Sequence, residues 1–127
     1  MKTKRPVNLD IGSIKLPITS YVSILHRISG VVLFFAVALL LCAFDSSLES
    51  EQSFQSLKQS LSNPLVKFII WAALAALAYH FFAGVRHLIM DIGIGEESFE
   101  SGRRSAWVVV ALVFIVIISF SGWIYLW

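Results

Sequence analysis

Long apolar runs alternate with polar segments along this 127-residue chain. The first apolar run covers residues 20–44 and reads "SYVSILHRISGVVLFFAVALLLCAF". At about 1.5 Å per residue it makes roughly 37 Å of helix, enough to cross a bilayer. The second covers 64–90. Asn63 is an N-cap residue by type, and Pro64 suits a first helical position. Its apolar body runs from Leu65 to Ala83. The third covers 105–127 and ends "SGWIYLW". Between the first two runs, "SSLESEQSFQSLKQSLSN" places Phe54, Leu57 and Leu61 at helical spacing, which predicts a short surface helix. The pattern predicts an all-α membrane protein with three transmembrane helices. Segments 1–19, 45–63 and 91–104 lie outside the bilayer.

Composition agrees with this reading. Hydrophobic residues make up 57% of the chain, against about 45–50% in a soluble domain, and mean hydropathy is +0.80. A net charge of +2 gives no reason to expect a nucleic-acid partner. Cys42, the single cysteine, lies within an apolar run, where packing is its expected role. No paired-cysteine pattern for zinc, iron–sulfur or c-type haem occurs. The start, "MKTKRPVNLDIGSIKLP", is polar for too long to read as a signal peptide. Lys2, Lys4, Arg5 and Lys15 precede the first run, and Arg86, Arg103 and Arg104 lie around the second connection. The first connection has only Lys58, beside Asp45, Glu49 and Glu51. The positive-inside rule then places the N-terminus in the cytoplasm and the C-terminus in the periplasm. Trp107, Trp123, Tyr125 and Trp127 fall near span ends, as interfacial aromatics do. Trp71 lies deeper, where packing against a neighbour is expected.

Two polar stripes interrupt the apolar runs. Ser23, His26, Arg27 and Gly30 share one face of the first helix, at i, i+3, i+4 and i+7. His80, Gly84, His87 and Asp91 share one face of the second, at i, i+4, i+7 and i+11. Polar residues in a span face protein or a cavity rather than lipid. The two helices run antiparallel, and His80 lies about 22 Å along its helix from Leu65. Both stripes therefore reach similar depth near the cytoplasmic side. A neutral imidazole can ligate haem iron, and cations can hold haem propionates. His80 is the most deeply placed candidate, with packing or a proton path as its alternatives. Gly84 leaves room for a porphyrin or for a close helix. His87 lies about 10 Å further along the axis and cannot share the same iron from the same side. Structural or supporting roles suit it better. Asp91 reads as a capping residue able to pair with His87 or Arg86. Ser23 and Arg27 read equally as a ligand site or as a helix anchor.

The motifs "RPVNLDI", "LPITS" and "SILHRISG", followed by "AYHFFAGVRHLIMDIG" and "EESFESGRRSA", resemble the cytochrome b556 anchor-subunit family of succinate dehydrogenase. The likeness covers nearly the whole chain. It implies one half of a heterodimeric anchor bundle, beside a second small membrane subunit, an iron–sulfur subunit and a flavoprotein subunit. It implies haem b shared between the two anchors, with His80 as an axial iron ligand. The partner anchor supplies the other ligand. It implies that Ser23 and Arg27 contribute to a ubiquinone site, and that His26 and Arg27 lie near a haem propionate. The expected place is the bacterial inner membrane. No flavin fingerprint or cysteine cluster is present, so succinate oxidation is expected of the soluble subunits. "RPVNLDIGSIKLP" is expected to be ordered by docking on one of them.

Other readings make different demands. An anchor of a related fumarate reductase shares the architecture, sometimes without haem. A self-contained membrane b-type cytochrome needs two opposed ligand histidines, and only His26 lies opposite His80. A small transporter subunit or assembly factor would carry no cofactor.

Overall fold

The computed structural model describes residues 10, 12–95 and 97–126. Residues 5–9 and 11 of the segment expected to dock on a soluble partner lie outside them. All regular structure among the described residues is helical: α1 (Ile18–Glu49), α2 (Glu51–Ser60), α3 (Pro64–Asp91) and α4 (Phe99–Leu126). The helices α1, α3 and α4 are long and apolar enough to cross a membrane. At about 1.5 Å per residue they measure roughly 48, 42 and 42 Å, against about 30 Å of bilayer hydrocarbon.

Local chemistry sets the helix ends. Pro17 opens α1 without a side-chain cap. Ser50 breaks the chain between α1 and α2 with extended backbone, and its hydroxyl accepts from the Ser53 N–H at 3.0 Å. Asn63 caps α3 by accepting from the Leu65 N–H at 2.9 Å, with Pro64 in the first turn. A Schellman motif closes α3. Gly93 takes φ +82°, its N–H donates to Met90 O, and the Ile94 N–H reaches back to Ile89 O. A side chain is strained at that φ, which explains the glycine. Ser98 accepts from the Ser101 N–H at 3.1 Å at the start of α4.

The bundle is tightest where three small or branched side chains meet. Val22 of α1, Ala83 of α3 and Ala106 of α4 are 1%, 0% and 0% exposed. Gly102, Ala106, Val109 and Val113 continue this buried line along α4. Small residues let helix backbones approach closely, and that packing drives association where lipid offers no hydrophobic gain. Many other apolar side chains point outward. Phe34, Phe35, Leu39 and Leu40 on α1, and Phe114, Ile115 and Ile118 on α4, are all exposed. Only Val22 and Ser29 are buried on α1. Cys42 is exposed rather than packed within the chain, because it lies on that outward face of α1.

Trp71 does meet a neighbour. Its Nε1–H donates to Ser121 Oγ at 2.7 Å, tying α3 to α4 far from the tight end. Arg103 and Arg104 are exposed, and Arg104 pairs with Glu100 one turn earlier on α4. So exposed a pair contributes little stability.

Candidate functional site

The crossing of α1 and α3 is shaped by two glycines, one on each helix. A Cβ at Gly30 would meet His80 Cε1 at 3.1 Å, and one at Gly84 would meet His26 Nε2 at 3.3 Å. Each helix thus omits a side chain where the other inserts an imidazole. The space beside Gly84 accommodates His26 and the close approach of α1. The His26 and His80 rings stack with centroids 4.2 Å apart and planes 14° apart. The His87 ring centroid lies 5.0 Å from that of His26, with the planes tilted by 52°. The two polar stripes therefore meet, as counting along antiparallel helices requires. Face-to-face contact between His26 and His80 leaves no space for a porphyrin between them.

His80 is fixed by hydrogen bonds at one nitrogen. Nδ1 lies 3.1 Å from the His26 carbonyl oxygen and 3.1 Å from Ser29 Oγ. The Ser29 hydroxyl donates its own proton to the same carbonyl at 2.7 Å. A carbonyl can only accept, and the serine proton is already committed. Nδ1 therefore carries a hydrogen, and in the neutral ring the lone pair is on Nε2, which no hydrogen bond among the described residues engages. A neutral imidazole held at Nδ1 by a carbonyl, with Nε2 free, is the form that ligates a metal. The donor chemistry of His80 therefore fits a ligand to haem iron, which it would hold through Nε2. Among the described residues no group of three or more His, Cys, Asp or Glu side chains could hold a bare metal ion.

The other sequence-predicted residues surround this crossing. Ser23 is half-buried on α1, and Arg27, one turn on, is exposed. His87 is half-buried and touches the site through the His26 ring. Asp91 is the last residue of α3 and is exposed. It forms no ion pair with His87 or Arg86.

Three contributors escaped the sequence reading. Ser29 sits within "SILHRISG" but off the stripe defined by Ser23, Arg27 and Gly30, and it is 6% exposed. Its place three residues after His26 was the available signal, since serine in a helix commonly bonds back to a carbonyl one turn earlier. Arg86, read as a topology charge, is 5% exposed. Its Nε donates to Ser105 Oγ at 3.0 Å, and Nη2 donates to Gly102 O at 3.1 Å. It clamps α3 to the first turns of α4. Among the described residues Arg86 and Ser29, not His80, are the most buried polar side chains. Tyr79 donates to Val22 O at 2.9 Å and pins α1 to α3 one residue before His80.

Three apolar helices with an imidazole-bearing polar crossing define a small multi-pass membrane subunit. The chain belongs to the succinate dehydrogenase/fumarate reductase transmembrane subunit family, whose profile matches residues 1–120. It is 42% identical over 126 residues to the succinate dehydrogenase cytochrome b556 subunit of Coxiella burnetii, covering 98% of this chain and 100% of that one. It is 36% identical to the cytochrome b556 subunit of Rickettsia felis, over 84% of this chain and 82% of that one. It is also 35% identical to the cytochrome b560 subunit of Reclinomonas americana, over 91% and 83%.

Proposed function

We propose that this chain is a membrane-anchor subunit of a succinate:ubiquinone oxidoreductase that shares haem b with a second small anchor subunit. It helps to form the site where ubiquinone is reduced. The observation that carries the reading is the fixed His80 imidazole, with Nδ1–H held by the His26 carbonyl and Nε2 left as a donor. His80 would hold the haem iron from this chain. The partner anchor would supply a second ligand, since the only histidine facing His80 here is in stacking contact with it. A bound haem supplies a one-electron store.

Ser23 and Arg27 act on the quinone. The Ser23 hydroxyl donates to a quinone carbonyl oxygen and orients the headgroup. The Arg27 guanidinium stabilises negative charge as it develops on that oxygen, which counts for more where water is thinned out. Arg27 is exposed on α1 and remains available to a ligand or propionate, with His26 beside it. His87 and Asp91 support the site from the end of α3. The iron–sulfur and flavoprotein subunits dock on the cytoplasmic face, beside the N-terminal segment. The chain itself transfers electrons and anchors, and succinate oxidation occurs on the flavoprotein. The proposed membrane is the bacterial inner membrane, with the N-terminus inside. Relatives named for succinate dehydrogenase favour this reading over a fumarate reductase anchor.

Mild detergent purification through a tag on this chain tests the reading. A flavin-bearing chain, an iron–sulfur chain and a second small membrane chain should co-purify with b-type absorption bands and succinate–quinone activity. A cofactor-free assembly with unrelated membrane proteins would overturn it.

A further inference from the structure

We infer that Ser29 is a positioning residue for His80, fixing the tautomer and tilt of the imidazole and tuning the electron affinity of whatever iron it ligates. This rests on the proposed role of His80 and goes beyond it. Ser29 is 6% exposed, so its hydroxyl faces protein. The hydroxyl is both donor and acceptor. It gives its proton to His26 O at 2.7 Å and presents a lone pair to His80 Nδ1 at 3.1 Å. Nδ1–H is thus shared between two acceptors, His26 O and Ser29 Oγ, both at 3.1 Å. Two acceptors on one N–H define the ring plane more tightly than one does.

The inverted tautomer is disfavoured for a specific reason. If Nδ1 were bare, Ser29 would turn its proton to the ring. The His26 carbonyl would then face a nitrogen lone pair at the same distance. Removing the Ser29 hydroxyl relaxes this constraint and withdraws one acceptor from Nδ1–H. Less electron density is then pushed towards Nε2, and a ferric iron bound there loses more stabilisation than a ferrous one. The reduced state should gain in relative population.

The test is a redox titration of the b-type absorbance in the assembled complex, comparing wild type, Ser29→Ala, Ser29→Thr and His80→Leu. Ser29→Ala should favour the ferrous form by a few-fold to about tenfold, up to about 59 mV for a one-electron couple. Ser29→Thr keeps the hydroxyl and should remain near wild type. A Ser29→Ala midpoint equal to wild type would overturn the inference, as would equal shifts in Ser29→Ala and Ser29→Thr. Equal shifts would assign the effect to packing volume. If Ser29→Ala does not assemble, Ser29→Cys replaces it. Its thiol is a weaker acceptor, so an intermediate shift is expected, and none would overturn the inference. The His80→Leu arm separates the two levels. Unchanged haem in that variant defeats the ligand reading itself, whereas altered haem there beside an unmoved Ser29→Ala defeats only the role of Ser29.

Discussion

Adding one methyl group at each of three helix glycines should damage the protein in a fixed order. Gly30→Ala brings a Cβ to 3.1 Å from His80 Cε1 and 3.6 Å from Nδ1. Comfortable carbon–carbon contact begins at about 3.5 Å, so the ring must retreat by roughly 0.4 Å. Both hydrogen bonds to Nδ1 start at 3.1 Å, and a retreat of that size along them reaches about 3.5 Å, the edge of hydrogen-bonding range. Losing them costs about 1–2 kcal/mol, and overpacking adds about 1–3 kcal/mol. The better helix propensity of alanine returns about 1 kcal/mol. The expected net destabilisation is about 1–4 kcal/mol. Gly84→Ala meets His26 Nε2 at 3.3 Å, where a smaller shift is enough. The expected cost is about 0–2 kcal/mol. Gly102→Ala meets Thr19 Cγ2 at an ordinary 3.7 Å and should be neutral or slightly stabilising. Thermal dissociation of the detergent-solubilised complex, followed with its haem content, measures the series. If Gly102→Ala were as damaging as Gly30→Ala, or Gly30→Ala were harmless, the crossing would not be built as described.

Arg86→Ala should destabilise the complex by about 2–4 kcal/mol, because two charge-assisted bonds and a buried stem are lost. Arg86→Met should recover part of that, and equal losses in unfolding assays would show that packing is not shared in this way. Ser23→Ala should weaken quinone binding or its transition state by about 1–3 kcal/mol, and Arg27→Leu should cost more. Both should spare succinate oxidation with an artificial acceptor, so the ratio of quinone-linked to artificial-acceptor turnover is decisive. A parallel fall in both activities would make these residues structural. Trp71→Phe removes the bond to Ser121 and should cost about 1 kcal/mol in the same thermal assay. No loss there would show that the serine finds another partner.

The helices were legible because their signals are local. Asn63 and Pro64 announce the start of α3, and Phe54 with Leu57 announces α2. Hydropathy ends before helicity does, however. The apolar run stops at Phe44, yet α1 continues to Glu49, because the polar residues between are compatible with helix until Ser50 turns extended. At α4 the Ser98 cap and the Glu100–Arg104 pair begin the helix ahead of its apolar run. The meeting of His26 and His80 followed from antiparallel counting. The role of Ser29 did not, since it depends on the carbonyl of His26 being offered to another helix. That carbonyl is reachable only because Gly30 lets α3 come close. Arg86 was misplaced for a related reason. A guanidinium at a span end usually reaches water, and here the small side chains of Ala83 and Ala106 bring α4 near enough to enclose it.

The proposed ligation of haem by His80 is read from reduced-minus-oxidised difference spectra of the assembled complex carrying His80→Leu or His87→Leu. His80→Leu should lose the haem or change its spin state and midpoint potential, while His87→Leu should keep the b-type bands in place. An unchanged spectrum and potential in His80→Leu would contradict it.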